Sequence, residues 1–395
     1  MRKNILTLLL ITAFVTGLEA QEEAKRPLSD SAYAALITCG QGDEYYLSWG
    51  HSAIRICDTS RGIDRAYNYG TFDFDTPHFY WKFSCGNLDY CLSRTRFSYF
   101  LSEYAFEGRA VREQRLRLSP QEVNNLFILL ETNYRPEYRY YKYDFFRDNC
   151  ATRVRDIIAA SLDHRTLSPE VTLPGAKTYR DYLYEPTERT RLWWRLGVDI
   201  TLGIRCDQRC SNYQTMFSPI EMMHTFDTMR VSDTQQPLVD PATELLADIR
   251  EPLKDSIPPT LVFWGFFVLM TALTIVGLRK GWRLAAVDRT VYIAVALVSV
   301  VVVFLWFFTS HYCTKYNLNI LWASPLFIYF AIRTTKSNRW VVWVQVVMLL
   351  AAVVFCFFPH PQRLNAAIAP IALTLVIRLL AGRLYDEHAN LNIKY

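Results

Sequence analysis

The sequence predicts an α+β exported domain followed by an all-α bundle of transmembrane helices. Three observations lead there: a short charged-then-apolar leader, a long mixed region with no membrane-length apolar run, and a final third of long apolar runs between short basic loops. Mean hydropathy near zero in a chain with 21% charged residues requires apolar residues to be concentrated somewhere, and they lie at the two ends. A net charge of +5 over 395 residues, most of it beside apolar segments, argues against a nucleic-acid binder. The composition also excludes a disordered chain and a small disulfide scaffold.

Residues 1–20 open with Arg2 and Lys3, continue through the run Ile5 to Val15 and end in Leu18-Glu19-Ala20, a small-residue cleavage pattern. This predicts a secretory signal peptide, with an uncleaved signal anchor as the alternative; either way the following segment is exported. Residues 21–257 form the expected exported domain, long enough for a full core. Strands are expected at Ala35–Cys39, His51–Cys57, Arg65–Tyr69, Val111–Leu118 and Tyr138–Tyr143. Ser119-Pro120-Gln121-Glu122 is a capping box with Pro at the first helical position, and Val123, Leu126, Phe127 and Leu130 follow at helical spacing. Ser218-Pro219-Ile220-Glu221 repeats the signal, and a third helix is expected to open at Asn149-Cys150.

Residues 258–395 form the expected transmembrane domain, with five spans: Thr260–Leu278, Val291–Phe308, Ile320–Ile332, Trp340–Phe358 and Ala366–Leu380. The third is short enough to be re-entrant, and the fifth carries Arg378, expected to snorkel to the interface. The loops after the first and third spans are basic (Arg279, Lys280, Arg283, Arg289; Arg333, Lys336, Arg339), which keeps them and the C-terminus in the cytoplasm. That orientation agrees with an exported N-terminal domain in the inner membrane. Trp193-Trp194-Arg195 reads either as an interfacial dip or as buried core.

Seven of the nine cysteines (39, 57, 85, 91, 150, 206, 210) fall in the exported region, an odd number, and Cys85/Cys91 and Cys206/Cys210 are candidate bridges. No spacing suits a metal, and none is expected. Cys150 is the candidate free thiol, because the first turn of a helix favours a thiolate and its amides suit an oxyanion. The alternative is a disulfide with Cys39 or Cys57. His51, in Trp49-Gly50-His51-Ser52-Ala53-Ile54, sits at the start of an alternating strand, where an imidazole can act as a general base or simply be a hydrogen-bonded residue.

Three stretches carry a resemblance: Gly50-His51-Ser52-Ala53, Tyr67-Asn68-Tyr69-Gly70-Thr71-Phe72-Asp73-Phe74 and Phe145-Phe146-Arg147-Asp148-Asn149-Cys150-Ala151. Together they resemble the exported domain of the Bacteroides-type lipoprotein N-acyltransferase family, Lnb. The likeness extends through Leu196-Gly197-Val198-Asp199, Asp207, Met216-Phe217-Ser218-Pro219 and the membrane part. The order of His before Cys is similar to the permuted papain-like group that contains lecithin:retinol acyltransferase.

The resemblance implies a permuted papain-like fold with Cys150 as nucleophile, His51 as base and Asn68 as the residue orienting the imidazole, Asp73 or Asp148 being alternatives for the third role. It implies substrate-binding roles for His311, Asn317 and Asn319, and for Asn149 beside the nucleophile. The implied partners are a phospholipid acyl donor, a diacylated lipoprotein acceptor and the lipid bilayer, without a cofactor. On residue chemistry alone, an exported Cys-His cell-wall peptidase or amidase is the competing reading.

Overall fold

A computed structural model describes residues 26–187, 190–231, 236–251, 257–334, 337–358 and 361–392, with side chains to residue 386. The expected signal peptide lies outside them. The chain divides into two compact units, Met1–Lys177 with Arg209–Pro252, and Thr178–Gln208 with Leu253–Tyr395. Residues 178–208, expected within the exported domain, thus pack with the C-terminal helices.

The first unit is built on a seven-stranded antiparallel sheet of β1 (Tyr33–Cys39), β2 (His51–Asp58), β3 (Ile63–Thr71), β4 (Asp89–Arg96), β5 (Val111–Arg115), β6 (Tyr140–Lys142) and β7 (Thr243–Leu246), in the order β6-β4-β3-β2-β1-β5-β7. Its helices include α1 (Phe79–Cys85), α2 (Phe97–Phe106), α3 (Pro120–Asn133) and α4 (Cys150–Ser161). Strand periodicity sorts the core into two layers. Leu36, Ile54, Ile56 and Tyr67 join Leu126, Phe127, Val154 and Ile158 of α3 and α4, whereas Ala35, Ile37, Ala53 and Ala66 join Phe97, Phe100 and Tyr104 of α2.

All five expected strands form, with boundary shifts of up to three residues. Strands β4 and β7 were not expected, because Asp89–Arg96 alternates Tyr90 and Leu92 with polar residues that turn charged at its end, and Thr243–Leu246 is a half-exposed edge. The α3 start is the capping box read from the sequence, Ser119 accepting from the Glu122 N–H at 3.3 Å while Glu122 accepts from the Ser119 N–H at 2.8 Å.

The second unit holds α5 (Tyr179–Tyr184) and α6 (Leu192–Thr201), then α8 (Pro259–Lys280), α9 (Ala285–Phe307), α10 (Leu326–Ile332), α11 (Arg339–Phe357) and α12 (Ile368–Asn392); α7 (Pro219–Thr228), intervening in sequence, belongs to the first unit. Four of these, α8, α9, α11 and α12, are long and apolar enough to cross a membrane, in agreement with four expected spans. The remaining expected span is broken. It consists of a tight turn at Leu318–Leu321 and the seven-residue α10, about 10 Å of helix against a hydrocarbon core of about 30 Å.

The break is internally satisfied. Gln345 of α11 donates to the Leu321 carbonyl at 3.1 Å and bonds Ser324 Oγ, which suits irregular backbone buried in a bundle. The two ends of this segment sit at opposite ends of the helices: Leu318 N–H donates to Gln362, just beyond α11, while the Thr334 carbonyl accepts from Arg283, between α8 and α9. Arg378 does not snorkel. It is buried on α12, bound to Asp288 of α9 through Nε (2.6 Å) and Nη2 (2.9 Å) and to Thr274 of α8 at 2.7 Å. A partner 90 residues away in sequence made the pair invisible to local reading.

A second buried network fastens residues 178–208 to the same bundle. Arg180 bonds Asp199 at 2.7 Å and Asp207 at 2.9 Å, and Asn365 donates to Asp199 at 2.7 Å. Trp193 and Trp194 are neither buried core nor fully exposed, at 45% and 38%, and the Trp193 indole donates to the Ile257 carbonyl at 3.1 Å.

Candidate active site

Cys150 opens α4, and the local sequence explains why the helix starts there. Asn149 has extended backbone and its Oδ1 accepts from the N–H groups of Ala151 (3.0 Å) and Thr152 (2.9 Å), while Thr152 Oγ1 accepts from the Asn149 N–H at 2.8 Å. The Asn149 amide also donates to the carbonyls of Phe145 (2.8 Å) and Phe217 (2.7 Å). Expected to touch substrate, Asn149 is instead buried and internally bonded. It pins the strand-to-helix junction.

This cap occupies two of the amides that the sequence offered to an oxyanion. The N–H groups of Cys150 itself and of Ser52, the residue after His51, act electrostatically on the sulfur. They favour the thiolate, as does the Ala151 N–H, but burial is the larger effect and pushes the Cys150 thiol up. The expected thiolate is therefore a neutral thiol at rest. Cys39, Cys57 and Cys150 all carry free thiols, so Cys150 is not half of a disulfide; Cys85, Cys91 and Cys206 are also free, and neither close pair is bridged.

The sheet opens where the thiol enters. Strands β2 and β3 pair only from Ile54–Asp58 to Ile63–Tyr67, so the ladder ends before His51 and Gly70. Gly70 has φ +89°, and a Cβ there would lie 3.4 Å from the Cys150 Cβ. Gly50 has φ +77°, and a Cβ would lie 2.5 Å from the Cys39 carbonyl, so only glycine lets the chain turn into His51.

His51 Nε2 lies 3.3 Å from Asn68 Oδ1, across the opened end of the ladder. With that oxygen as acceptor, the imidazole is the Nε2–H tautomer and Nδ1 carries the lone pair. His51 pKa falls to about 4, chiefly through burial and secondarily through Arg109, while the Asn68 bond opposes the fall. The ring is thus neutral and able to accept a proton at neutral pH.

Among the described residues no hydrogen bond joins the imidazole directly to the thiol. Alternation along β2 and β3 sets His51 and Asn68 on the side of Ala53 and Ala66, toward α2, whereas Cys150 belongs to the α4 layer. Both lie near the end of the β2–β3 ladder, Cys150 against Gly70 and His51 against Asn68. Asp148 is committed to Arg153 (2.6 and 2.8 Å), and exposed Asp73 accepts from the Asp75 N–H.

Residues that local reading missed include Arg109, buried and donating to the Gly40 carbonyl at 2.8 and 3.1 Å, and Tyr143, stacked on Tyr90 with centroids 4.3 Å apart. Tyr90 continues to Phe72 (5.3 Å) and Phe72 to exposed Phe74 (5.0 Å), an aromatic path from the thiol's surroundings to the surface. Its only sequence signal was the density of aromatics.

In the second unit, the other expected substrate residues are largely internal. Asn317 and Asn319 are fully buried. Asn317 donates to the Ile200 carbonyl at 2.8 Å, and Asn319 donates to the Asp199 carbonyl at 2.9 Å and accepts from Trp322 at 2.8 Å. Both hold α6 to the bundle rather than face a ligand. His311 is half-buried, and its carbonyl accepts from Thr314 at 3.2 Å. Among the described residues no cluster of potential ligands could hold a metal.

Residues 21–185 match the family model described as the Lnb N-terminal periplasmic domain, and residues 251–388 match the one described as the Lnb transmembrane domain. No curated protein and no solved structure matches the chain.

Proposed function

As the chain belongs to the Lnb family of lipoprotein N-acyltransferases, with a periplasmic N-terminal domain on a multi-pass inner-membrane part, we propose that it moves an acyl chain from a phospholipid through a Cys150 thioester to the α-amine of a diacylglyceryl-cysteine lipoprotein. We assign the periplasmic domain to residues 21–257 after removal of a signal peptide at 1–20. Residues 258–395 form the membrane domain, in which the broken segment 318–332 serves as a fifth crossing.

In the first half-reaction His51 takes the thiol proton and the Cys150 sulfur attacks the ester carbonyl. The carbonyl oxygen gains charge beside the N–H groups of Cys150 and Ser52. Collapse breaks the ester C–O bond, His51 returns its proton to the glycerol oxygen, and a lysophospholipid leaves. In the second half-reaction the amine attacks the thioester, loses a proton to His51 and expels the thiolate, which is then reprotonated. Asn68 keeps the imidazole in one tautomer, and the aromatic path from Tyr143 to Phe74 offers the acyl chain an apolar route. His311, at the membrane end, is assigned to the lipid headgroup region.

The observation that carries this reading is the pairing of His51 with Asn68 at 3.3 Å beyond the end of the same ladder at which Gly70 gives room to Cys150 at the start of α4. A neutral imidazole and a neutral thiol suit a nucleophile that ionises only as substrate arrives. The test is mass spectrometry of a lipoprotein's N-terminal peptide from a host lacking lipoprotein N-acylation. One added acyl group on the amine with the wild type, and none with Cys150→Ala, is expected; acylation by Cys150→Ala refutes the assignment.

A further inference from the structure

A cavity of about 380 Å³ opens in the second unit between the start of α8, the end of α11 and the segments around α5, α6 and residues 363–366. Its volume is that of a small-ligand site, roughly 300–1,000 Å³. Because the chain enters α8 from the periplasmic domain, this is the periplasmic end of the bundle.

The lining is two-sided. Leu192, Pro259 and Cys356 make an apolar wall, whereas Arg195 and Arg363 supply two cations, and among the described residues no acidic side chain lines the space. Arg363 is already paired with Asp181 at 2.8 Å. Arg195 is not: among the described residues no acceptor engages its guanidinium, and its buried Nε has no hydrogen-bond partner. Its Cζ lies over Tyr184, 3.6 Å from the ring centroid. A stacked, unpaired guanidinium beside an apolar wall fits a planar-fork contact to an oxyanion that carries an apolar tail.

We propose that this cavity binds the phosphodiester of a glycerophospholipid, with Arg195 as the main phosphate contact, Arg363 as the second, and one acyl chain along the apolar wall. The inference deepens the donor half of the function above and rests on that reading for the lipid's role as acyl donor. The acceptor's reactive group is an amine, which two arginines repel when it is protonated, so the site discriminates for the anionic substrate. Phosphate chemistry is shared by a lipid headgroup and by free phosphate, and the apolar wall favours the lipid.

The test is native mass spectrometry of the full chain in neutral detergent, titrated with dioleoyl phosphatidylglycerol, with dioleoylglycerol, which lacks the phosphate, and with inorganic phosphate. The wild type is expected to bind the phospholipid about tenfold or more tightly than dioleoylglycerol. Arg195→Gln is expected to remove that preference while leaving dioleoylglycerol binding unchanged, and Arg195→Lys to restore part of it. Thr260→Trp, which fills the cavity and leaves both arginines in place, is expected to weaken phospholipid binding if Arg195→Gln does not fold.

Wild-type phospholipid binding by folded Arg195→Gln, or by Thr260→Trp, overturns the proposal. So does inorganic phosphate binding as tightly as the phospholipid. Acyl transfer in the same preparations separates the two ideas. Transfer by the wild type with an unchanged donor KM in Arg195→Gln sinks the cavity and spares the function; Arg195-dependent phospholipid preference without any transfer does the reverse.

Discussion

Replacing Asn68 by Asp tests the His51–Asn68 pairing through the sign of a pKa change. In the wild type, burial and Arg109 hold the His51 pKa at about 4, below its ordinary 6.5. A base with that pKa is lost as pH falls through about 4, so the acid limb of Cys150 reactivity is expected there. A carboxylate at the 3.3 Å position of Asn68 Oδ1 favours the charged ring. Opposite charges at such range raise a His pKa by about one to three units, so the limb moves to about pH 5–7. Asn68→Ala removes only a neutral bond of roughly 0.5–1.5 kcal/mol, which predicts a loss of about 2- to 10-fold in rate with no upward move of the limb. The assay is the pH dependence of Cys150 alkylation and of acyl-transfer kcat/KM on the full-length protein. Circular dichroism at each pH is needed, since a histidine buried in its neutral form costs stability as pH falls from 6.5 toward 4. If Asn68→Asp and Asn68→Ala share the wild-type limb, Asn68 does not govern the imidazole.

Three further outcomes are expected. Asn149→Ala removes the α4 cap and strips the Phe145 and Phe217 carbonyls of a donor, costing about 2–4 kcal/mol, measurable as a lower Tm of the full protein. Gly70→Ala forces a side chain into φ +89° against Cys150 at a cost of about 1–3 kcal/mol, and transfer is expected to fall more than thermal stability does. Arg180→Met leaves Asp199 and Asp207 without their shared cation and is expected to cost about 3–5 kcal/mol in thermal unfolding in detergent; an unchanged Tm contradicts the network's structural role.

What was legible in the sequence followed from local chemistry. The capping box at Ser119, the N-cap at Ser218, the helix start at Cys150 and four membrane helices all depend on residues within a few positions of one another. His51, Asn68 and Cys150 were singled out through their motifs, and the structure brings His51 to Asn68 and sets Cys150 at the start of α4 against Gly70. The failures share a long-range cause. The partners of Arg378 and Asn319 lie 90 and 120 residues away, so a snorkelling cation and a ligand-facing amide were read where buried pairs exist. The thiolate expectation failed because a helix terminus is visible in sequence and burial is not. The packing of residues 178–208 with the C-terminal helices rests on Asn317, Asn319 and Asn365, whose partners Ile200 and Asp199 are 117, 120 and 166 residues away.

The most direct test of the central claim is the intact mass of the full-length protein after incubation with phospholipid alone, without lipoprotein acceptor. A Cys150 acyl-thioester predicts a gain of one acyl chain that maps to the Cys150 peptide, is released by neutral hydroxylamine and is absent in Cys150→Ala. An enzyme that goes on to acylate lipoprotein while never showing that adduct, or one that carries it on another residue, contradicts the account.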